Sequence, residues 1–411
     1  MPTPHPSRLL ITGARLLHPE NGELTDASWL EVADGRIAAH GTGRPPAAPE
    51  DVPVLAAGGA TVMPGLVDAH VHILLTSFDR TESASWTPGY ATVRALGEAE
   101  RMLRRGFTTV RDVGGADHGM ARAIDEGLVL GPRLIHGGKA LSQTGGHGDI
   151  RPLGDDTAPC CQSRPSFARV ADGVDAVRAA ARDEFRKGAA HLKMLIGGGV
   201  ASPHDEVSAV QYTDEEIRAA VTEAENHNRY VTVHAYHPRS VNLALRAGVR
   251  CVEHGNLLDD DTLRLLLEHD AYLVPTLVTY DQMARFGKQA GMPEQTYRKI
   301  ADVREAGLAA LERAHRAGVN LVFGSDLLGP LQSAQLEEFS LRAQVQPPAD
   351  ILRAATTTAA RLLRMEGQIG TLVVGAHADL LVVDGDPLDD IHVLTRPEQH
   401  LRHVIKAGTV I

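Results

Sequence analysis

The sequence predicts an α/β protein in which a (β/α)8 barrel, of the TIM type, is combined with a small β-sandwich. Short β-branched runs alternate with longer helical patterns from about residue 64 to residue 366. The segments before and after this region both have the composition of short strands and turns. We therefore expect a composite sandwich domain from residues 1–63 and 367–411, with residues 64–366 forming the barrel.

The two outer segments have similar patterns. In the first, SWLEVADGRIAAHG alternates apolar and polar residues around an Asp-Gly pair, which is typical of a β-hairpin. In the last, GTLVVGAHADLLVVDGDP and HVIKAGTVI are also strand-like. The pairing of these segments in one domain is inferred from their composition alone.

Strand-like runs and helical patterns alternate through the central region. The strand-like runs are 66–72, 108–113, 133–138, 191–196, 230–236, 250–255, 271–276 and 320–326. The helical patterns are 93–105, 172–187, 213–227, 259–269, 296–317 and 349–364, and Thr213 with Glu216 forms a capping-box pattern. A doubly wound open sheet would also alternate, but no Gly-rich dinucleotide-binding pattern follows the first strand. This favours the barrel.

Composition excludes several classes of function. The formal net charge is −11 without a basic stripe, and aromatic residues make up 4% of the chain, so we expect no nucleic-acid partner. No apolar stretch approaches the roughly 18 residues of a membrane helix, and the N-terminal residues do not resemble a signal peptide. Cys160, Cys161 and Cys251 do not form a disulfide framework. The prediction is a protein of the reducing cytoplasm.

Histidines and one aspartate lie at strand ends. His70 and His72 are two residues apart and share one face of a strand. His234, His254 and Asp326 end the fifth, sixth and eighth strand-like runs. A lone histidine in a strand is usually a hydrogen-bonded core or surface residue. In a barrel, however, strand ends converge on one mouth, and imidazole with carboxylate suits a divalent metal, above all zinc.

Lys193 lies in the apolar run AHLKMLIGGG, just before three glycines. Burial of a free ammonium there is unfavourable. An unmodified Lys193 could pair with a carboxylate, or act as a base with a lowered pKa. We expect the glycines to let the chain turn close to a metal site without obstruction by side chains.

Five motifs occur in the order found in a known family. PGLVDAHVH, HLKMLIGGG, VTVHAY, CVEHGN and FGSDLLG resemble the motifs of the amidohydrolase superfamily, and the resemblance covers nearly the whole chain. IGGGVASPHDEVSAVQYTDEEIRAAV and SQTGGHGD resemble its prolidase-like branch, which hydrolyses N-acyl amino acids and includes ochratoxin-hydrolysing enzymes. The resemblance implies a hydrolase that cleaves an amide bond of a small N-acyl amino acid or dipeptide by attack of a metal-bridging hydroxide.

The resemblance also implies the site residues. Lys193 would be carboxylated by CO2 and bridge two divalent metal ions, most simply Zn2+. The implied ligands are His70, His72, Lys193 and Asp326 for the first ion, and Lys193, His234 and His254 for the second. Asp326 would also act as catalytic base and then acid. The branch implies a homo-oligomer acting on a small-molecule substrate.

Four further residues are candidate substrate contacts. His147, in GGHGD, would donate a hydrogen bond to the substrate carbonyl. The alternative interpretation is that His147 is a solvent-exposed residue of the loop. Tyr236, His237 and Arg239 suit a free substrate carboxylate, although His237 and Arg239 could simply begin the next helix.

Several alternatives remain open at this point. The same site would serve hydrolysis of a urea, a carbamate or thiocarbamate, a cyclic amide or an ochratoxin-like amide. A mononuclear deaminase lacks the lysine, and a non-catalytic scaffold would be expected to lose ligands. The long loop 139–165 is expected to shape specificity, and its Cys160 and Cys161 lack zinc-binding spacing.

Overall fold

The computed structural model of the protein describes residues 8–47, 50, 52–151, 154–155, 166–202, 205–289, 292 and 294–411. Its strands are β1 Arg8–His18, β2 Glu23–Ala33, β3 Arg36–Thr42, β4 Val54–Ala56, β5 Thr61–Pro64, β6 Leu66–Val71, β7 Phe107–Asp112, β8 Arg133–His136, β9 Ala140–Ser142, β10 Ala168–Val170, β11 Leu192–Leu195, β12 Val231–Ala235, β13 Cys251–His254, β14 Tyr272–Val274, β15 Asn320–Leu321, β16 Leu380–Val383, β17 Leu401–Lys406 and β18 Thr409–Val410.

The helices connect these strands. They are α1 Arg80–Ser85, α2 Pro88–Arg104, α3 His118–Asp125, α4 Val174–Arg186, α5 Asp214–Asn226, α6 Pro238–Arg246, α7 Asp260–Glu268, α8 Leu277–Phe286, α9 Glu294–Ala317, α10 Glu337–Arg342, α11 Pro348–Ala354, α12 Thr357–Leu362 and α13 Pro397–His400. Among the described residues, two 3-10 helices span Gly329–Ala334 and Ile391–Thr395. Within the described part of the chain, no helix combines the length and apolar character that a membrane span requires.

The first and last segments of the chain meet in one sheet. Its strand order is β18-β17-β16-β5-β1-β2-β3, and β4 pairs with β1. The junction is the antiparallel pair β16 and β5, in which Leu381 lies opposite Met63. On one face, Leu16, Val62, Leu380 and Ile405 are buried in a common core. The sandwich form of this unit and the domain boundaries remain predictions.

The central region contains parallel strands in two sheets, of orders β6-β7-β8 and β10-β9-β11-β12-β13-β14-β15. The predicted alternation of strands and helices, and hence the mixed α/β class, is confirmed. Each of the eight predicted runs overlaps one strand of these sheets, whereas β9 and β10 were not predicted. The parallel register places Leu195 beside His234 and Ala235 beside His254, so successive strands end at similar levels.

Hydrogen bonds connect the two parallel sheets at both edges of the three-stranded one. On one side, the Ala69 amide donates to Phe323 (2.9 Å) and the Asp326 amide donates to His70 (2.8 Å). On the other side, the Ala190 amide donates to the His136 carbonyl (2.9 Å). These bonds bring the chain after β15 against β6, and the chain before β11 against β8.

One predicted helix is interrupted. The pattern at 349–364 forms two helices, α11 and α12, instead of one. The Ala354 carbonyl accepts a hydrogen bond from the Phe323 amide (3.0 Å), and the Ala355 carbonyl accepts one from the Val67 amide (2.8 Å). Because these carbonyls bond to strands, they cannot continue the helical ladder.

The capping box before α5 is confirmed. The Thr213 hydroxyl accepts a hydrogen bond from the Glu216 amide (3.4 Å), and the Glu216 carboxylate accepts one from the Thr213 amide (2.8 Å). These bonds satisfy backbone donors that have no partner within the helix. The start of α5 is thus fixed at the residue that the sequence indicated.

Candidate metal centre

Three predicted ligands converge at the carboxyl ends of β6 and β15. The Nε2 atom of His70 lies 3.2 Å from Oδ1 of Asp326, and the Nε2 atom of His72 lies 3.5 Å from the same oxygen. One potential ligand atom from each residue falls within 4.8 Å of the other two. Two imidazoles and a carboxylate at this spacing are a donor set suited to a divalent transition metal.

His234 and His254 complete the cluster from β12 and β13. Their rings are 4.6 Å apart, and the His254 ring is 5.1 Å from that of His70. The Nδ1 atom of His254 lies 3.9 Å from Oδ2 of Asp326. His254 and Asp326 have φ values of 76° and 50°, in the left-handed region that non-glycine residues seldom adopt. Such backbone conformations are costly and are commonly retained at functional sites.

Hydrogen bonds to Nδ1 orient three of the imidazoles. The Nδ1 atom of His70 lies 2.8 Å from the Glu253 carboxylate, and that of His72 lies 2.8 Å from the Gly114 carbonyl. The Nδ1 atom of His254 lies 2.8 Å from the Thr276 hydroxyl. A proton on Nδ1 that is donated to these oxygens leaves Nε2 with a free lone pair, the form in which histidine binds metals.

Lys193 is buried beside this cluster. Only 1% of its surface is exposed, and its Nζ atom has no hydrogen-bond partner among the described residues. Burial lowers the pKa of Lys193 to about 8, and the Glu253 and Asp326 carboxylates oppose that decrease. A buried amine without a partner is unfavourable. The burial of Lys193 without a partner among the described residues fits a lysine that becomes an anionic ligand of bound cations. The residues present therefore suit a metal centre.

The charge states of three imidazoles and of the carboxylate also suit metal binding, whereas the pKa of His70 is raised, because the Asp326 and Glu253 carboxylates outweigh the effect of burial. Burial lowers the pKa of His72 to about 4 and holds those of His234 and His254 well below their ordinary value. Burial alone would raise the pKa of Asp326, but His70 first, and then His72 and Lys193, outweigh it, and the pKa falls to about 2. Metal ligands must be deprotonated. These four groups are deprotonated near neutral pH.

His147 lies against the cluster. Its ring stacks on that of His234 at 4.3 Å, and its Nδ1 atom is 3.8 Å from the Asp205 carboxylate. A Cβ atom at Gly199 would lie 1.9 Å from Cε1 of His147, and one at Gly198 would lie 1.9 Å from the Glu206 carbonyl oxygen. These two glycines therefore admit His147 and a loop carbonyl, and the Gly198 carbonyl itself lies 3.3 Å from Nε2 of His234.

The other candidate contacts occupy two different places. Tyr236 is buried, its ring stacks on His254 at 5.0 Å, and its hydroxyl lies 3.0 Å from that of Tyr280. His237 is the N-cap of α6 and accepts a hydrogen bond from the Arg239 amide (3.2 Å). His237 and Arg239 line a cavity of about 910 Å3. The substrate-binding role of these residues remains a prediction.

Several polar residues of the site were not predicted from the sequence. Tyr280 lies 2.9 Å from Nδ1 of His254, and the Arg111 guanidinium lies 2.6 Å from Glu253. Asp68 accepts hydrogen bonds from the amides of His70 and Ser325. The available signal was a charged residue inside an apolar run, as in TTVRDV and CVEHGN, which is the same signal that identified Lys193.

The three cysteines have no assigned part in the site. Cys160 and Cys161 lie outside the described residues, as does much of the loop around them. Cys251 is buried, and burial raises the pKa of its thiol to about 12. A thiol in that state is a poor nucleophile and metal ligand.

Comparisons with known proteins identify relatives over nearly the whole chain. A model of the amidohydrolase family matches residues 61–411. The chain is 30% identical to ochratoxinase from Aspergillus niger, over 98% of this chain and 86% of that protein. A crystal structure of a prolidase complexed with N-methylphosphonate-L-proline is 45% identical, with a TM-score of 0.95 over 98% of this chain and 99% of the other. A Xaa-Pro dipeptidase structure with bound methionine is 28% identical, with a TM-score of 0.89 over 98% and 100% of the two chains.

Proposed function

The chain belongs to the amidohydrolase family and is a hydrolase that acts on amide bonds, and from this premise we propose that its substrates are small N-acyl amino acids or dipeptides with a free carboxylate. One observation carries the proposal. His70, His72 and Asp326 meet beside Lys193, whose Nζ atom has no hydrogen-bond partner among the described residues. The prolidase and Xaa-Pro dipeptidase structures support the choice of substrate class.

We further infer that the two parallel sheets form one (β/α)8 barrel with the site at its mouth. The hydrogen bonds from β6 to the chain after β15, and from β8 to the chain before β11, support this closure. Catalytic groups of such barrels lie at the carboxyl ends of the strands, where His70, His234 and His254 are found. The cytoplasmic location and the homo-oligomeric state remain predictions.

The residues that would hold two divalent ions, most simply Zn2+, are His70, His72, Lys193, His234, His254 and Asp326. Lys193 would serve both ions after carboxylation, in which Nζ bonds to the carbon of CO2, one C=O electron pair moves to oxygen and a proton passes to water. Bound at these residues, such ions supply an acidified water and polarise the scissile carbonyl. Two cations would also neutralise the anionic groups that the site buries.

Asp326 would transfer the proton. Its carboxylate is ionised, since its pKa is about 2, and it retains partial solvent contact next to His70 and His72. In that state it can accept a proton from the attacking water and later donate it to the leaving nitrogen. Its fixed position among the histidines would spare the reaction the cost of orienting a base.

His147 would stabilise the developing negative charge on the carbonyl oxygen. Its ring is held by stacking on His234 and by the proximity of Asp205. Hydrogen-bond donors already aimed at this oxygen contribute most when they need not reorganise during the reaction.

The substrate carboxylate would bind at Tyr236, whose ring contacts His254, or at the separate cavity lined by His237 and Arg239. Arg239 offers a planar cation that matches the geometry of a carboxylate. The cavity lined by His237 and Arg239 has room for a small substrate side chain. A second candidate is the amide bond of an ochratoxin, because ochratoxinase matches 98% of this chain.

A substrate panel tests this function. Zinc-loaded and metal-stripped enzyme would be incubated with N-acyl amino acids, dipeptides with varied C-terminal residues, ochratoxin, the carboxamides of these substrates, and ureas and carbamates of similar size. We expect zinc-dependent release of an amino acid from substrates with a free carboxylate. Hydrolysis of ureas or carbamates alone, with no cleavage of any amide, would contradict the proposal.

A further inference from the structure

A buried ion pair lies beneath the proposed metal centre. Arg111 on β7 and Glu253 on β13 have no exposed side-chain surface, and their Nη2 and Oε1 atoms are 2.6 Å apart. Removing both charges from water is costly, and replacing such a pair by apolar residues often leaves a protein equally stable or more stable. This pair therefore suggests a role beyond stabilising the fold.

Both oxygens of Glu253 are engaged. Oε1 accepts hydrogen bonds from Arg111, from the Thr232 hydroxyl and from the Cys251 thiol (3.5 Å). Oε2 lies 2.8 Å from Nδ1 of His70. Arg111 is itself fixed, because its Nε atom donates to the carbonyl of Ala69, the residue before His70. The pair thus holds both the ring of His70 and the strand on which it lies.

Lys193 lies opposite Thr232 in the β11–β12 register, and the Thr232 hydroxyl donates to Glu253, yet the Nζ atom of Lys193 forms no hydrogen bond with Glu253 or any other described residue. A buried ammonium would ordinarily pair with the nearest carboxylate. Here Arg111, Thr232 and His70 already occupy the Glu253 oxygens. The amine of Lys193 is therefore left available for reaction with CO2.

We propose that Arg111 and Glu253 are a positioning pair for the metal centre. Glu253 fixes the Nδ1–H tautomer of His70, so that Nε2 faces Asp326, and Arg111 prevents Glu253 from pairing with Lys193. This inference rests on the proposed function, because it requires that the centre binds metal and that Lys193 is carboxylated.

Zinc affinity, measured by competition with a chromophoric chelator, tests the pair without relying on activity. Glu253→Gln keeps the side-chain shape but offers one acceptor oxygen, which cannot serve Arg111 and His70 at once. We expect zinc affinity to fall about 10–100-fold, the usual effect of losing such a partner. The control is Glu338→Gln, since Glu338 forms another fully buried pair with Arg342 (2.9 Å). Its zinc affinity should equal that of the wild type.

The double variant Arg111→Met, Glu253→Leu guards against misfolding, because it removes both charges together. If the pair were only structural, this variant would fold and bind zinc as tightly as the wild type, and the inference would be wrong. We expect it to fold, by circular dichroism, but to bind zinc about 10-fold or more weakly.

Carbon-13 NMR separates this inference from the proposed function. With 13CO2 and zinc, we expect a carbamate signal in the wild type that is absent from Lys193→Ala and reduced in Arg111→Met. No wild-type signal would contradict the carboxylation on which the inference rests. A full signal in Arg111→Met, together with wild-type zinc affinity in Glu253→Gln, would overturn the positioning role alone.

Discussion

Asp326 is joined to His70 twice: its backbone amide donates to the His70 carbonyl (2.8 Å), and its Oδ1 atom lies 3.2 Å from Nε2 of the His70 ring. The backbone bond fixes where the chain after β15 meets β6. The side-chain contact then places a carboxylate among the histidines. The left-handed φ of Asp326, 50°, belongs to the same arrangement.

Asp326→Asn should retain metal but lose turnover. The amide keeps an oxygen as a ligand but cannot accept the proton, so we expect kcat to fall about 10²–10⁴-fold. Metal content and kcat would be measured together, with Asp183→Asn as control, because Asp183 lies on α4 and pairs with Arg169 on a partly exposed surface. Near-normal turnover with bound metal would exclude Asp326 as the base.

His147 can be tested through the glycine against which it packs. Gly199→Ala would place a Cβ atom 1.9 Å from Cε1 of His147 and so displace the ring. We expect Gly199→Ala and His147→Ala to lower kcat/KM by similar factors, about 10²-fold. Gly154→Ala is the control, since a Cβ there meets no atom of the described residues within 4 Å. Unchanged kcat/KM in His147→Ala would remove this residue from the mechanism.

Tyr236 is predicted to contact the substrate carboxylate. Tyr236→Phe should raise KM for substrates with a free carboxylate, by about 10-fold for one lost hydrogen bond to a charged group, and leave KM for their carboxamides unchanged. Tyr280→Phe is the matched control for Tyr236→Phe, because it removes the hydroxyl that lies 3.0 Å from the Tyr236 hydroxyl. An equal increase in KM for acids and carboxamides would indicate that Tyr236 only supports His254.

The metal-free protein should lose stability as pH falls below neutral. The pKa of His72 is about 6.5 in the unfolded chain, whereas burial lowers it to about 4 in the folded protein. Between these values the unfolded state holds more protons, so from pH 7 to pH 5 this group alone should lower the free energy of unfolding by about 2 kcal/mol. Urea unfolding of wild type and His72→Asn at both pH values measures the difference. An identical pH dependence in the two proteins would contradict the shift.

The sequence was most informative where residue types that bind metals occur at regular positions along predicted strands. The spacing of His70 and His72, and the strand ends at His234 and His254, were visible because β-strands alternate regularly and parallel strands end together. Lys193 was visible because a charge is unusual in an apolar run. The capping box at Thr213 and Glu216 was visible because it is a local pattern.

Features that depend on tertiary contacts could not be predicted from the sequence. The break between α11 and α12 arises from hydrogen bonds to Val67 and Phe323, which are distant in sequence. The pairing of Arg111 with Glu253 likewise joins β7 to β13, and no local pattern specifies it. The requirement for Gly199 became clear only with the position of His147.

The number of zinc ions bound per chain, measured by elemental analysis in the wild type and in Lys193→Ala, shows whether Lys193 is needed to hold two metal ions. The wild type should hold about two ions, as expected for a two-metal hydrolytic site. Lys193→Ala should hold fewer than one, with partial recovery in acetate, which can replace the missing carboxylate. Two ions in Lys193→Ala without acetate, or an active wild type with no bound metal, would contradict the account.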